Sequence, residues 1–302
     1  MENLFENTEL INSKKNLLNL LEKTNIKQKS TFISAYLFHG IKVNFHSTDP
    51  AFTSKVLNFL PEEWTVSASF KSKNNLDIYL ENNWNRDWDY EVNPNCLIQE
   101  TGQFESAIQR DFLGLDYRDH AILSLTDLHA DGIFNALRWL LPRRMLVMDT
   151  FLLHSSCVVD NGLAYFFLGA SGAGKSTVAS LSGQRIVLGD DMNVMRFDGE
   201  KVYAKSGGLG GLSFSNTDYV NEFEVAGFFW LKQSTQSSRT KVSASSGATK
   251  ILASLANIFW ELMPYKRREE LLELSLQIAS KSNFYQLEFK KDGEFWNYVT
   301  KG

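Results

Sequence analysis

Nine consecutive residues in the middle of the chain, Gly169-Ala170-Ser171-Gly172-Ala173-Gly174-Lys175-Ser176-Thr177, are of the right types and spacing to grip a polyphosphate. They satisfy G-x-x-x-x-G-K-[ST] without a mismatch. Glycines let the backbone curl until successive N–H groups point inward as an anion nest. The helix expected to start near Lys175 adds the positive end of its dipole. Lys175 is placed to reach the β- and γ-phosphates as a point charge. Ser176 offers its hydroxyl to Mg²⁺. The expected ligand is ATP with Mg²⁺.

Further along stands Ile186-Val187-Leu188-Gly189-Asp190-Asp191, an apolar run ending in two acids. Acids at the carboxyl end of a buried strand lie where open α/β sheets bind ligands. One can hold the metal while the other takes the proton from an attacking hydroxyl. We assign the metal to Asp191 with Ser176, and the proton to Asp190; which acid does which is open from the residues alone. Successive side chains of a strand point to opposite faces, so both acids share one site only if the strand stops at Gly189. His154, in an apolar run ahead of the loop, reads by itself as either a core histidine or a site residue. The Gly-rich stretch 206–216 reads equally as a substrate loop or as a plain connection.

Strand–loop–helix is the context that the phosphate motif requires, and the flanks supply it. FLLHSSCVVD and LAYFFLGA read as two strands joined by Asn161-Gly162, a strong hairpin signal. TVASLSG after the loop reads as helix. IVLGDD is a strand, VMRFDGEKVYA a hairpin turning at Asp198-Gly199, and GFFWLK a further strand. STQSSRTKVSASSGATK reads as a Ser-rich loop. Helices are expected over 248–280, and FYQLEFKKDGEFWNYV as strand, turn and short helix.

Upstream, leucines near 17–21 give residues 1–30 a helical pattern. FISAYLFHGIKVNFHS alternates like strands around Gly40, and Asp49-Pro50 opens a helix. Leu76, Ile78 and Leu80 mark a strand, CLIQE and AILSL two more, and 127–148 a helix interrupted near Pro142. The acids and tryptophans of 84–91 read as a loop. This gives an α/β fold: a phosphate-loop core of mixed sheet with flanking helices over 126–302, preceded by a smaller α+β region, 1–125.

Bulk properties exclude several classes. The net charge of −4 argues against nucleic acid as a partner. No run approaches the roughly 18 apolar residues of a membrane helix, and the first residues lack signal-peptide character, so a cytoplasmic protein without membrane association is expected. Cys96 and Cys157 have no metal spacing or disulfide framework.

The segment LLHSSCVVDNGLAYFFLGASGAGKSTVASLSGQRIVLGDDMNVM, 152–195, resembles the catalytic core of HPr kinase/phosphorylase, with its Leu-His pair, hairpin, phosphate loop and strand ending in Asp. More weakly, about 125–300 is similar to HPr-kinase-related proteins, including lasso-peptide kinases that phosphorylate a serine of a precursor peptide. The resemblance implies a fold related to phosphoenolpyruvate carboxykinase, a histidine (His154) close to the transferred phosphate, and a general base within the Asp cluster. Asp190 and Asp191 match that cluster's second and third members, and Gly189 stands at the first. The family signature Glu-x-Arg-Gly-Leu-Gly appears here as Lys205-Ser206-Gly207-Gly208-Leu209-Gly210. The missing Glu and Arg place HPr itself, and phosphorylase chemistry, outside what the resemblance implies. It is compatible with a homo-oligomer.

The expected function is an ATP-dependent kinase that transfers the γ-phosphate to a hydroxyl, serine foremost, of a peptide, protein or small molecule. Two alternatives use the same loop: a nucleotide-binding regulatory module that transfers nothing, and an NTP hydrolase.

Overall fold

The computed structural model describes residues 19, 21–23, 25–82, 97–100, 104–109, 111–212, 214–256 and 263–300. The chain divides into two compact units, Met1–Leu140 and Leu141–Gly302. The division falls after Leu140 rather than after residue 125. The reason is the helix Asp131–Leu140: its apolar stripe, including Ile133, Leu137 and Leu140, is buried, and it packs on the strands Phe112–Asp116 and His120–Leu125 of the first unit. The expected loop at 84–91, and Cys96, lie outside the described residues.

The first unit is an eight-stranded mixed sheet in the order β3-β1-β2-β4-β8-β7-β6-β5. Its strands are β1 (Thr31–Phe38), β2 (Ile41–Ser47), β3 (Thr65–Val66), β4 (Asn74–Glu81), β5 (Leu97–Glu100), β6 (Glu105–Ile108), β7 (Phe112–Asp116) and β8 (His120–Leu125). β1 and β2 form the expected hairpin, with His39 and Gly40 at positive φ in its turn. Asp49 caps the helix Pro50–Leu57 by accepting the Phe52 N–H. Trp139 donates its indole N–H to Glu105 at 2.6 Å, which satisfies both polar groups in a buried setting.

The second unit carries the Gly-rich loop 169–174. Its strands are β9 (Thr150–His154), β10 (Ser156–Asp160), β11 (Leu163–Leu168), β12 (Ile186–Gly189), β13 (Met192–Phe197), β14 (Val202–Ser206), β15 (Phe223–Gln233), β16 (Ser238–Lys241) and β17 (Phe284–Phe289). The order is β12-β10-β11-β15-β14-β13-β9, with β17 beside β15 and β16 beside β17. β11, β15 and β17 are mutually parallel. β12 is antiparallel to β10, which is antiparallel to β11, so β12 runs the same way as β11.

Both faces of this central sheet are covered, as parallel strands require. One face carries Phe166, Phe228 and Phe284, in register across β11, β15 and β17, beneath Ile251 and Ile278 of the helices Ala244–Ser254 and Tyr265–Lys281. Their rings stack at 5.2 and 4.4 Å. The other face carries Phe167 and Phe229, beneath Val178 of the helix Lys175–Ser180 and Phe295 and Trp296 of the tail. Alternate residues of one strand therefore feed two cores. Cys157 is wholly buried in the first, and its burial pushes the thiol well above its ordinary pKa.

Two expectations change. FLLHSSCVVD is not one strand: it bends at Ser155 into β9 and β10, which belong to different parts of the sheet. His154 thus ends β9, two strands before β11, the strand that leads into the loop, rather than one. The Ser-rich stretch is not a plain loop either. β16 pairs with β17, and Ser243 caps a helix by accepting the Ser246 N–H. Serine suits such a cap as well as it suits a loop.

Candidate functional site

β11 feeds the loop 169–174, which enters the helix Lys175–Ser180 at Gly174. Gly174 has φ 106°, in the left-handed region. A Cβ there would also lie 2.6 Å from the Phe289 ring. Glycine is needed for both reasons. Phe289 ends β17, and Gln233 ends the parallel β15 beside it. The Gln233 side-chain amide donates to the Gly172 carbonyl at 2.8 Å. The loop is thus held by two neighbouring strand ends, at the carboxyl edge where such sheets bind ligands.

Lys175 is 7% exposed. Its ammonium donates to the carbonyls of Gly169 (3.0 Å) and Ala170 (3.3 Å) of its own loop. Burial lowers its pKa, and the nearby Asp191 charge acts in the opposite direction. Ala170, Ser171, Gly172 and Ser176 are exposed, while Ala173 and Thr177 are half-buried.

β12 ends at Gly189, as sharing of the site by both acids demands. The acids then diverge in their contacts. Asp190 is 4% exposed, and its Oδ1 accepts the Leu212 N–H at 2.7 Å. Asp191, 27% exposed, has Oδ1 3.0 Å from His154 Nε2; the imidazole is 47% exposed. The Gly-rich stretch is therefore built into the site, because Gly211 packs so closely on Asp190 that a Cβ there would overlap Oδ1. Leu212 is exposed beside it.

His154, Asp190 and Asp191 come together at a corner where two paired strands change direction. β10 pairs with β12 on one side of it, Cys157 opposite Gly189. β9 pairs with β13 on the other, Met192 opposite His154. Between them the Ser155 N–H donates to the Asp191 carbonyl at 2.9 Å. Strands that switch direction build corners in this way.

Among the described residues, no group of three or more His, Cys, Asp and Glu side chains is arranged to hold a metal ion by protein ligands alone. A hard cation held by as few protein oxygens as Ser176 and Asp191 would have to complete its shell from phosphate and water, which is the ordinary habit of Mg²⁺. Gln233 escaped sequence reasoning, since it belongs to no motif and acts on a residue distant in the chain; Leu212 lies in the Gly-rich stretch 206–216, but its contact with Asp190 is equally long-range.

No family model matches the chain, and no curated protein matches it. Among the described residues, no helix is long and apolar enough to cross a membrane.

Proposed function

We propose that this chain is an ATP-dependent kinase with an HPr-kinase-like phosphate-loop core, transferring the γ-phosphate to a hydroxyl, serine foremost, of a peptide, protein or small molecule. The observation that carries the reading is the placement of Asp191. It is 3.0 Å from His154 and its charge acts on Lys175, so the strand-end acid belongs to the phosphate loop's surroundings. Neither motif requires the other by sequence; a phosphotransferase requires both in one place.

In this reading the backbone N–H groups of 170–176 receive the phosphates. Lys175 leaves its loop carbonyls and pairs with the β- and γ-oxygens. Ser176 and Asp191 would hold Mg²⁺, whose role is to neutralise charge on the phosphates. Asp190 accepts the acceptor's proton as its oxygen bonds to γ-phosphorus. The β–γ bridging bond breaks, and its electron pair leaves with ADP. His154 orients Asp191 and faces the transferred group. Most of the catalysis is positioning and electrostatics.

One observation favours a second reading, a module that binds nucleotide without transfer. Asp190 is nearly buried and already accepts the Leu212 N–H. Asp190→Asn separates the two. The variant is assayed with γ-labelled ATP, Mg²⁺ and serine-containing peptides. Under the kinase reading, wild type labels the peptide and the variant loses at least about 100-fold in rate while keeping its ATP affinity. Tight ATP binding by wild type without labelled peptide supports the module; free phosphate released at the same rate without peptide supports a hydrolase.

A further inference from the structure

Asn193 is wholly buried, one residue past the start of β13, and its side-chain amide spans the corner of the site. Nδ2 donates to the Ser155 carbonyl at 2.8 Å, to the Ser155 hydroxyl at 3.3 Å and to the Gly189 carbonyl at 3.1 Å. Ser155 directly follows His154, and Gly189 directly precedes Asp190. One side chain therefore ties the residue after the histidine to the residue before the acids.

The surroundings are shaped to admit it. A Cβ on Gly189 would fall 2.9 Å from Asn193 Oδ1 and 3.0 Å from the Met192 carbonyl. A Cβ on Gly207 would fall 2.5 Å from that same carbonyl and 3.2 Å from the backbone nitrogen of Asn193. The amide oxygen, meanwhile, has no hydrogen-bond partner among the described residues. A buried acceptor left unsatisfied is costly, so stability alone is a poor reason for an amide here. Its geometry instead matches what a bent pair of strands lacks, a donor for the carbonyls where the ladder is broken.

We propose that Asn193 is a positioning residue that sets the mutual placement of His154, Asp190 and Asp191. The proposal rests on the reading of the site as a magnesium-dependent phosphotransferase. Asn193 touches neither nucleotide nor acceptor; it acts through the two backbone segments that carry the chemical groups. Groups that orient the ligands of a metal commonly change metal affinity or activity about 10–100-fold when removed.

The test compares full-length wild type with Asn193→Leu, which is close in size, and with the smaller Asn193→Ser, which keeps a donor. ATP affinity is measured with Mg²⁺ and with EDTA, and single-turnover loss of the γ-phosphate is followed. Thermal midpoints show which variants are folded. Asn193→Leu should keep its metal-free ATP affinity within about twofold, because the loop and Lys175 are untouched. Its Mg²⁺-dependent gain in affinity and its turnover should each fall about 10–100-fold, with Asn193→Ser between it and wild type. In an Asp191→Asn background, Asn193→Leu should cost less than about twofold more in Mg²⁺-dependent affinity, since the metal ligand it positions is already gone. A merely structural asparagine would lower metal-free affinity and metal-dependent gain together, or cost as much in the Asp191→Asn background; either result overturns the proposal. So does a folded Asn193 variant with undiminished gain and turnover. A wild type that gains nothing from Mg²⁺ would instead overturn the phosphotransferase reading beneath it.

Discussion

Replacing Gly174 with alanine probes the loop 169–174 where two separate constraints meet. The backbone there has φ 106°, and an L-residue forced into the left-handed region costs about 1–2 kcal/mol. The new methyl would also lie 2.6 Å from Cζ of Phe289, a wholly buried ring at the end of β17. Overpacking of this kind adds about 1–3 kcal/mol. The sum, about 2–5 kcal/mol, is relieved if the loop shifts away from its nest geometry or is retained as lost stability. If it falls wholly on nucleotide binding, affinity drops between about 30-fold and a few thousand-fold. Calorimetric titration with ATP and urea unfolding together capture both outlets. Phe289→Leu shortens the offending ring, so the double variant should recover the steric part and retain the backbone part. Gly174→Ala binding ATP within about twofold of wild type, at an unchanged urea midpoint, would refute the idea that this glycine shapes the loop.

Two further outcomes follow from the same geometry. Burial depresses the Lys175 pKa below its ordinary 10.5, so in the window beneath that value the unfolded chain binds more protons than the folded one. Stability without nucleotide should therefore rise with pH there, and wild type should gain on Lys175→Met as pH increases; a pH-independent difference in urea midpoints would contradict it. Gln233→Ala removes the exposed amide that holds the Gly172 carbonyl, a bond worth about 0.5–1.5 kcal/mol, and should weaken ATP binding about 2–10-fold, as read by calorimetry.

What could be read in the sequence was local. The Gly-rich loop 169–174, its flanking strand and helix, the Asn161-Gly162 turn and the acids after Leu188 each declare themselves within a few residues, through backbone freedom, capping and alternation. The first unit's strands were equally visible around Gly40 and Leu76–Leu80. Their order across the sheet was not, since pairing partners such as β4 and β8 are distant in the chain. The bend at Ser155 left no mark in FLLHSSCVVD, because a corner is imposed by the partner strand and not by the bending one. Asn193, Leu212 and Gln233 reach contacts 38, 22 and 61 residues away, a scale that periodicity does not address. The Ser-rich stretch shows tertiary context overriding composition: four of its residues become β16 because β17 offers an edge.

The central claim is that the loop ahead of Lys175 and the acids after Gly189 hold one magnesium nucleotide between them. ATP titration in the presence and absence of Mg²⁺, with wild type, Lys175→Met and Asp191→Asn, tests it most directly. The account predicts that wild type binds ATP and binds it more tightly with Mg²⁺, that Lys175→Met loses affinity under both conditions, and that Asp191→Asn loses only the part Mg²⁺ adds. Wild type that retains no nucleotide, or an Asp191→Asn protein with the full Mg²⁺-dependent gain, would contradict it.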